Sequence, residues 1–301
     1  MKVAGFTIVR NALKYDYPVL ESIASVLPLC DEFLVNIGKS DDDTLNLIKG
    51  IPGSKIKIME TVWDDSLRTG GLLLAAETNK AKDAITTDAD WLIYIQADEV
   101  LHEQGIEAIR NAMVKWKDDK TVEGLLLNYK HIYGSYSYEV EPFSHWYTKE
   151  IRVIRNLPTI RSFRDAQGFR KFNNNTPDNK ELNNGGFKIK VKHIDATIFH
   201  YGWVKNPYVQ KKKWDNFQKL WHDDEWLKHH TTESPEYDYS QIVTLKKFSG
   251  KHPTLMNARI KMEDWKFSPG TKKLTLKEKV LRFLIHTFGW NAGEYHNYKR
   301  I

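Results

Sequence analysis

Trp91-Leu92-Ile93-Tyr94-Ile95-Gln96-Ala97-Asp98-Glu99 is the stretch that decides the fold. Five apolar or aromatic residues run without a break and stop at two adjacent carboxylates. A short apolar run of this kind reads as a strand buried on both faces. Ligands of open α/β sheets bind beyond the carboxyl ends of the strands, where Asp98 and Glu99 are expected. Carboxylate oxygens there suit Mg²⁺ or Mn²⁺ shared with a diphosphate. The competing reading makes the two acids caps of a helix over 104–117.

Upstream, strand and helix signals alternate. Strands are expected over Val3–Val9, Glu32–Ile37 and Lys55–Glu60, and helices over Tyr17–Val26, Asp43–Lys49 and Gly71–Ala84. This order predicts a mostly parallel sheet with helices on both faces, its strand ends gathered on one edge by right-handed crossovers. Downstream, Gly124–Tyr129, Ile151–Arg155, Lys188–Val191 and Ala196–Tyr201 read as further strands, with an aromatic-rich segment over His131–Tyr147. The polar stretch Asn173–Gly186 reads as a mobile loop. Beyond Pro207 the pattern predicts helices over Tyr208–Trp221, Pro235–Phe248 and Thr275–Phe288. The expected organisation is an α/β domain over 1–225 and a C-terminal helical extension over 226–301.

Composition narrows the function. With 301 residues and 41% hydrophobic content the chain supports one large core. Mean hydropathy is −0.55, and no apolar run is long enough to span a bilayer. The N-terminus reads as a strand rather than a signal peptide. A single cysteine, Cys30, excludes an intrachain disulfide and multi-thiolate zinc, and fits a reducing, cytoplasmic setting. A net charge of +6 favours anionic partners without choosing among nucleotides, lipids, acidic glycans and nucleic acid.

Candidate ligand groups fall at successive strand ends. The first strand ends in Arg10-Asn11, a cation and an amide suited to a base or phosphate. The second runs into Ser40-Asp41-Asp42-Asp43-Thr44. Here Asp42, with Asp41 close behind, suits a ribose hydroxyl or a uracil edge, or else marks the start of the next helix. After the third come Arg68 and Gly70-Gly71, opening a helix that carries Asn79; Arg68 reads either as a phosphate contact or as a surface partner of Asp64 or Asp65. Asp98 closes the fourth. Further on, Asp165 lies among arginines in Arg164-Asp165-Ala166-Gln167-Gly168-Phe169-Arg170, as a general base or a salt-bridge partner. His200 ends the last strand in His200-Tyr201-Gly202-Trp203, where imidazole can complete a Mn²⁺ shell.

Together these motifs resemble the family 2 glycosyltransferases of the GT-A fold over roughly residues 3–210. The resemblance rests on Gly5-Phe6-Thr7-Ile8-Val9-Arg10-Asn11, Ser40-Asp41-Asp42-Asp43-Thr44 and Tyr94-Ile95-Gln96-Ala97-Asp98-Glu99. The Arg164–Arg170 and His200–Trp203 segments are similar to the lipopolysaccharide-core or cell-wall glycosyltransferase-like subgroup. The resemblance implies inverting transfer of a sugar from a nucleotide-diphosphate donor, UDP by family expectation, to a hydroxyl of a glycan, glycolipid or protein-linked acceptor. It also implies nucleotide contacts from Thr7, Val9, Arg10, Asn11, Asp42, Arg68, Asn79, Gln96, Ala97 and Asp98. A divalent ion, Mn²⁺ or Mg²⁺, would sit on Asp98 and His200. Gln96 departs from the family by replacing the first acid of Asp-x-Asp, and the family's usual downstream Glu-Asp signature is not evident. The base is therefore sought among Asp165, Glu150 and Glu99, in that order. The Asn173–Gly186 loop is a candidate lid.

The segment Leu274–Trp290 is a basic amphipathic helix. It suits either the anionic inner face of a membrane or, as the default, packing on the domain or on a second subunit as a homodimer. Three other readings stand beside the transferase: a degenerate transferase kept as a donor-binding scaffold, a basic protein that binds nucleic acid or acidic glycan, and a nucleotidyltransferase. The acids clustered at strand ends argue against nucleic acid.

Overall fold

The structure is a computed structural model that describes residues 1–85, 88–141, 146–241, 244–270, 274–288 and 296–301. The expected βα alternation forms. Strands β1 (Val3–Val9), β2 (Glu32–Gly38) and β3 (Ile56–Thr61) alternate with helices α1 (Val19–Val26), α2 (Thr44–Lys49) and α3 (Leu72–Asp83), and β4 (Trp91–Tyr94) follows. The order β3-β2-β1-β4 is parallel throughout, so four carboxyl ends share one edge. β1, β2 and β4 are buried along their whole length, as continuous apolar runs require.

Asp98 and Glu99 do not cap a helix. Glu99 begins a strand, β5 (Glu99–Leu101), and α4 (Ile106–Lys115) starts only after it. Asp98 therefore occupies a tight turn between two strands.

The chain then extends the sheet. It contributes β6 (Gly124–Tyr133), β7 (Tyr138–Val140) and β8 (Lys149–Arg155), and β8 pairs antiparallel with both β4 and β6. A small separate sheet contains β9 (Ile160–Ser162), β10 (Phe169–Lys171) and, after α5 (Asn179–Asn184), β11 (Phe187–Lys188). The two strands expected over 188–201 are one, β12 (Lys190–Trp203). It runs parallel to β6 with register shifts between Ile194 and Thr197 and between His200 and Trp203.

α6 (Pro207–Gln218) and α7 (Asp224–His230) follow, then β13 (Leu245–Lys247), α8 (Asn257–Lys261), α9 (Leu276–Phe288) and β14 (Lys299–Arg300). Two apolar layers cover the faces of the sheet. One is built on Val19, Ile23, Ile48, Ile109 and Met113 from α1, α2 and α4, the other on Leu73 and Ala81 from α3. This is the α/β sheet with helices on both faces that the sequence predicts.

Three local expectations change. Asn173–Gly186 contains α5, held by an Asp178–Glu181 capping box, and its Leu182 packs with Leu72, Phe163 and Phe172; it is a docked helix rather than a loose loop. Among the described residues of Pro235–Phe248 no α-helix forms. Tyr237 and Tyr239 join an aromatic cluster with Tyr133, and Leu245–Lys247 pairs with β7, so packing overrides the helical period. Finally, α9 buries its stripe only in part: Leu276, Val280, Phe283 and Phe288 are exposed, Leu281, Leu284 and Ile285 are half-buried, and Arg282 pairs with the buried Glu141 at 2.8 Å. Gly289 and Trp290, the end of that expected helix, lie outside the described residues, as do residues 142–145 of the aromatic-rich segment.

Candidate active site

A cavity of about 510 Å³ opens beyond the carboxyl ends of β1 and β4. Asp98 stands on its floor. One Asp98 oxygen, Oδ2, accepts from Lys213 Nζ at 2.9 Å and lies 3.7 Å from His200 Nε2. Burial works against the charge, yet the Lys213 ammonium and His200 hold the Asp98 carboxyl well below the usual carboxylate range.

His200 is fixed from behind. Its Nδ1 lies 3.2 Å from Nδ1 of His131, whose Nε2 faces the Tyr147 carbonyl at 3.0 Å. A carbonyl only accepts, so the His131 proton is assigned to Nε2, and His200 donates to His131 from Nδ1. His131 stays neutral, since burial, with His200 adding to it, pushes its pKa well down. Gly202 completes the floor: a Cβ there would come 2.4 Å from His200 Nε2 and 2.7 Å from Asp98 Oδ2.

Behind Asp98, Glu99 and Arg152 form a buried ion pair. Tyr129 Oη donates to Glu99 Oε1 at 2.5 Å, and the Gln96 amide N–H donates to Oε2 at 3.1 Å. Arg152 also donates to the Gln167 carbonyl at 2.8 Å, and the Gln96 side chain donates to the Ala166 carbonyl at 3.2 Å. These contacts carry the loop 164–168 to the cavity, where Asp165 lines the wall. Arg164 and Ala166, on either side, have φ of 52° and 60°, so Asp165 sits on a tightly wound loop. Burial raises the Asp165 carboxyl above its ordinary value. Gly71 makes room for the loop, since a Cβ at its φ of 73° would meet the Asp165 Cβ at 2.7 Å.

The remaining wall is aromatic, with Tyr17, Trp63, Tyr94, Trp146, Trp203 and Trp214 bordering the cavity. Such rings suit the apolar face of a sugar or a base. Arg10 lies at the rim, stacked 4.6 Å over Trp63 and paired with Asp65 at 2.9 Å. It also borders an adjoining cleft of about 520 Å³ lined by Asn11, Lys14, Lys39, Asp41, Lys212 and Lys219.

The expected residues thus divide. Val9, Arg10, Gln96, Ala97, Asp98, Asp165 and His200 meet at the main cavity. Asn11 and Asp41 share the adjoining cleft, where the Asn11 side chain accepts from the Asp41 amide at 2.7 Å. Asp42 instead serves the helix start: it accepts from the amides of Thr44 at 3.1 Å and Lys14 at 2.7 Å, and borders a third cleft. Thr7 is buried inside β1. Arg68 pairs with Asp224 at 2.6 Å on the surface, and its Nε donates to the Asp65 backbone carbonyl at 3.2 Å rather than to a carboxylate of Asp64 or Asp65. Asn79 is locked to β9 by two bonds with the Ser162 backbone, at 2.9 and 2.8 Å, and does not face the cavity. Glu99 cannot serve as a base, because it is fully buried and spent on Arg152. Glu150 is buried behind the loop, accepting from Gln167 Nε2 at 3.0 Å, and burial pushes it up to about 8.

Lys213, His131, Trp203 and Trp214 are the residues that sequence reasoning missed. Lys213 was hidden in the run Lys211-Lys212-Lys213, which reads as solvated charge. The usable signal was periodicity: Gln210, Lys213, Trp214 and Phe217 recur at helical spacing, and all four line the cavity.

The donor set is not open for the expected divalent ion, because Lys213 already bonds Asp98 Oδ2. Asp98 and His200 stand together without a third His, Cys, Asp or Glu among the described residues, so an ion there would draw its other ligands from the donor phosphates and water. Mg²⁺ demands near-octahedral oxygen ligation, and Glu99 and Gln96 are committed elsewhere. Lys213 Nζ fills the gap between Asp98 Oδ2 and the Gly202 carbonyl, 2.8 Å away.

No protein-family model matches the chain, and no curated protein does. It is similar to solved structures at low identity. A structure of S. aureus TarS 1–349 with UDP gives a TM-score of 0.39 at 14% identity, over 72% of this chain and 64% of that one. The longer TarS structure is covered over 39% of its length, with a TM-score of 0.40. Glucosyl-3-phosphoglycerate synthase of Mycobacterium tuberculosis, with Mn²⁺, UDP-glucose and phosphoglyceric acid, gives 0.29 at 15% identity, over 43% of this chain and 44% of that one. The 4-diphosphocytidyl-2C-methyl-D-erythritol synthase of Anaerococcus prevotii gives 0.33 at 11% identity, over 72% and 94%. The chain therefore spans less than two thirds of the transferase structures it matches first.

Proposed function

We propose that this protein is an inverting glycosyltransferase that moves a sugar from a nucleotide-diphosphate donor, a uridine nucleotide by family expectation, to an acceptor hydroxyl. The observation that carries the reading is one cavity bordered by cations, aromatic rings and a raised carboxylate. Arg10 and Lys213 suit the diphosphate, the rings suit sugar faces, and Asp165 suits a proton acceptor. The adjoining cleft with Asn11 and Asp41 suits the nucleoside.

In the reaction, the acceptor oxygen attacks the anomeric carbon from the face opposite the diphosphate. The new C–O bond forms as the bond to the diphosphate oxygen breaks. The nucleoside diphosphate leaves with the electron pair, and the acceptor proton passes to Asp165. A base needs a pKa near its working pH, and burial moves Asp165 in that direction. Residues 1–225 would form the catalytic domain. The exposed apolar side chains of α9, beside Lys279 and Arg282, support a peripheral position on an anionic membrane and hence a lipid-linked acceptor. No described helix is long and apolar enough to cross a membrane.

Thermal unfolding against a panel of nucleoside diphosphates and nucleotide sugars tests the donor site. A ligand at a hundred times its dissociation constant stabilises the fold by about 2.7 kcal/mol. Release of a nucleoside diphosphate from the donor supports transfer. Release of pyrophosphate from a nucleoside triphosphate would identify a nucleotidyltransferase instead.

A further inference from the structure

We propose that Lys213 supplies the positive charge that receives the donor diphosphate, in the place where a divalent ion was expected. The inference rests on the nucleotide-sugar reading above and names the group that would hold the donor's charge.

The position of Lys213 is built rather than incidental. It lies on the face of α6 that also carries Gln210, Trp214 and Phe217 into the cavity. Its side chain is 14% exposed and that of Asp98 13%, so the pair is largely withdrawn from water. The Tyr17 ring lies 5.0 Å from Lys213 Nζ and adds cation–π attraction.

The hydrogen-bond inventory leaves capacity for a ligand. An ammonium has three N–H donors. Among the described residues, Lys213 directs them to two acceptors, Asp98 Oδ2 at 2.9 Å and the Gly202 carbonyl at 2.8 Å. A phosphoryl oxygen in the cavity would be the third. Asp98 then holds Lys213 in place and aims it, and need not itself hold a metal.

Charge at the rim agrees. Arg10 borders both clefts, and Lys14, Lys39, Lys212 and Lys219 line the adjoining one. A diphosphate spanning the two would meet fixed cations on its path. A divalent ion on Asp98 Oδ2 would instead be crowded against an ammonium already bonded to that oxygen, and like charges at such range repel strongly.

The test is calorimetric titration of the full chain with UDP, GDP and dTDP, in EDTA and again in Mn²⁺. Wild type, Lys213→Ala and Lys213→Arg are compared, each checked for an unchanged melting profile. Wild type is expected to bind one nucleotide in EDTA, with Mn²⁺ changing affinity by no more than about twofold. Lys213→Ala is expected to lose about tenfold or more, and Lys213→Arg to recover most of it, because each charged phosphate hydrogen bond contributes on that scale. Mn²⁺ alone, followed by its paramagnetic resonance, should stay free in the presence of wild type. Nucleotide binding that requires Mn²⁺, or that survives unchanged in Lys213→Ala, would overturn the role of Lys213 while leaving the transferase reading intact. A folded wild type that binds no nucleoside diphosphate under either condition overturns both.

Discussion

Arg152 grips Glu99 through two parallel hydrogen bonds, Nε to Oε2 at 2.7 Å and Nη2 to Oε1 at 2.5 Å, with both side chains buried. The same guanidinium holds the Gln167 carbonyl, so one ion pair sets the turn that carries Asp98 and the loop that carries Asp165. Removing one partner leaves an uncompensated buried charge. Arg152→Met should therefore cost about 3–5 kcal/mol. Glu99→Gln should also destabilise, which a residue acting only as a base would not. Urea unfolding of both variants checks this.

Asp165→Asn separates chemistry from binding. Turnover should fall by about 10²–10⁴-fold, the usual contribution of a positioned base, while nucleotide affinity stays the same. Because burial raises the Asp165 carboxyl, the wild-type rate should climb with pH through an apparent value above that of an ordinary aspartate. A pH–rate profile on saturating donor reads it. An unaltered rate in Asp165→Asn would move the search to another proton acceptor.

Glu150 should leave a mark on stability against pH. Burial pushes its carboxyl up to about 8, although Arg152, Gln167 and the Ile151 amide favour the charged form. Its contribution is intact below the unfolded value, where both states are protonated. As pH rises toward about 8, the folded state retains a proton that the unfolded chain has shed, and stability is lost at up to about 1.4 kcal/mol per pH unit. Glu150→Gln should flatten that slope. Denaturation midpoints for wild type and variant across this window give the comparison.

How much of this was legible beforehand follows from what each signal depends on. The parallel half of the sheet was readable because β1, β2 and β4 are buried on both faces and their runs of Val, Ile and Phe admit little else. Asp98 and Asp165 could be picked because carboxylates are conspicuous beside apolar runs. For Lys213, helical spacing marks only the face it shares with Trp214 and Phe217; its meaning comes from a fold-back that brings residue 213 to residue 98 across the sheet edge. Asn79 and Glu99 were misjudged for a related reason: a polar side chain near a strand end looks the same in sequence whether it faces a ligand or, as here, the Ser162 backbone and the Arg152 guanidinium. Asp42 followed its local alternative and closed the start of α2.

The exposed stripe on α9 predicts membrane affinity. The protein should float with vesicles containing phosphatidylserine, and less so at high salt, where attraction of Lys279 and Arg282 to the lipid is screened. Phe283→Asp, combined with Val280→Asp, should abolish flotation without lowering the melting temperature, because both side chains are already exposed. Equal flotation with neutral vesicles would refute an anionic preference.

The register shift near the end of β12 carries one more consequence. His200 and Trp203 are three residues apart, yet the β6 residues they face, His131 and Tyr133, are two apart. A regular strand would turn residues 200 and 203 to opposite sides of the sheet. One surplus residue lets an imidazole and an indole share a single chamber. The chamber's shape is thus written partly as a count of residues: the bulge absorbs the odd one, and in a strand without it the same three-residue spacing would send the indole to the far face of the sheet.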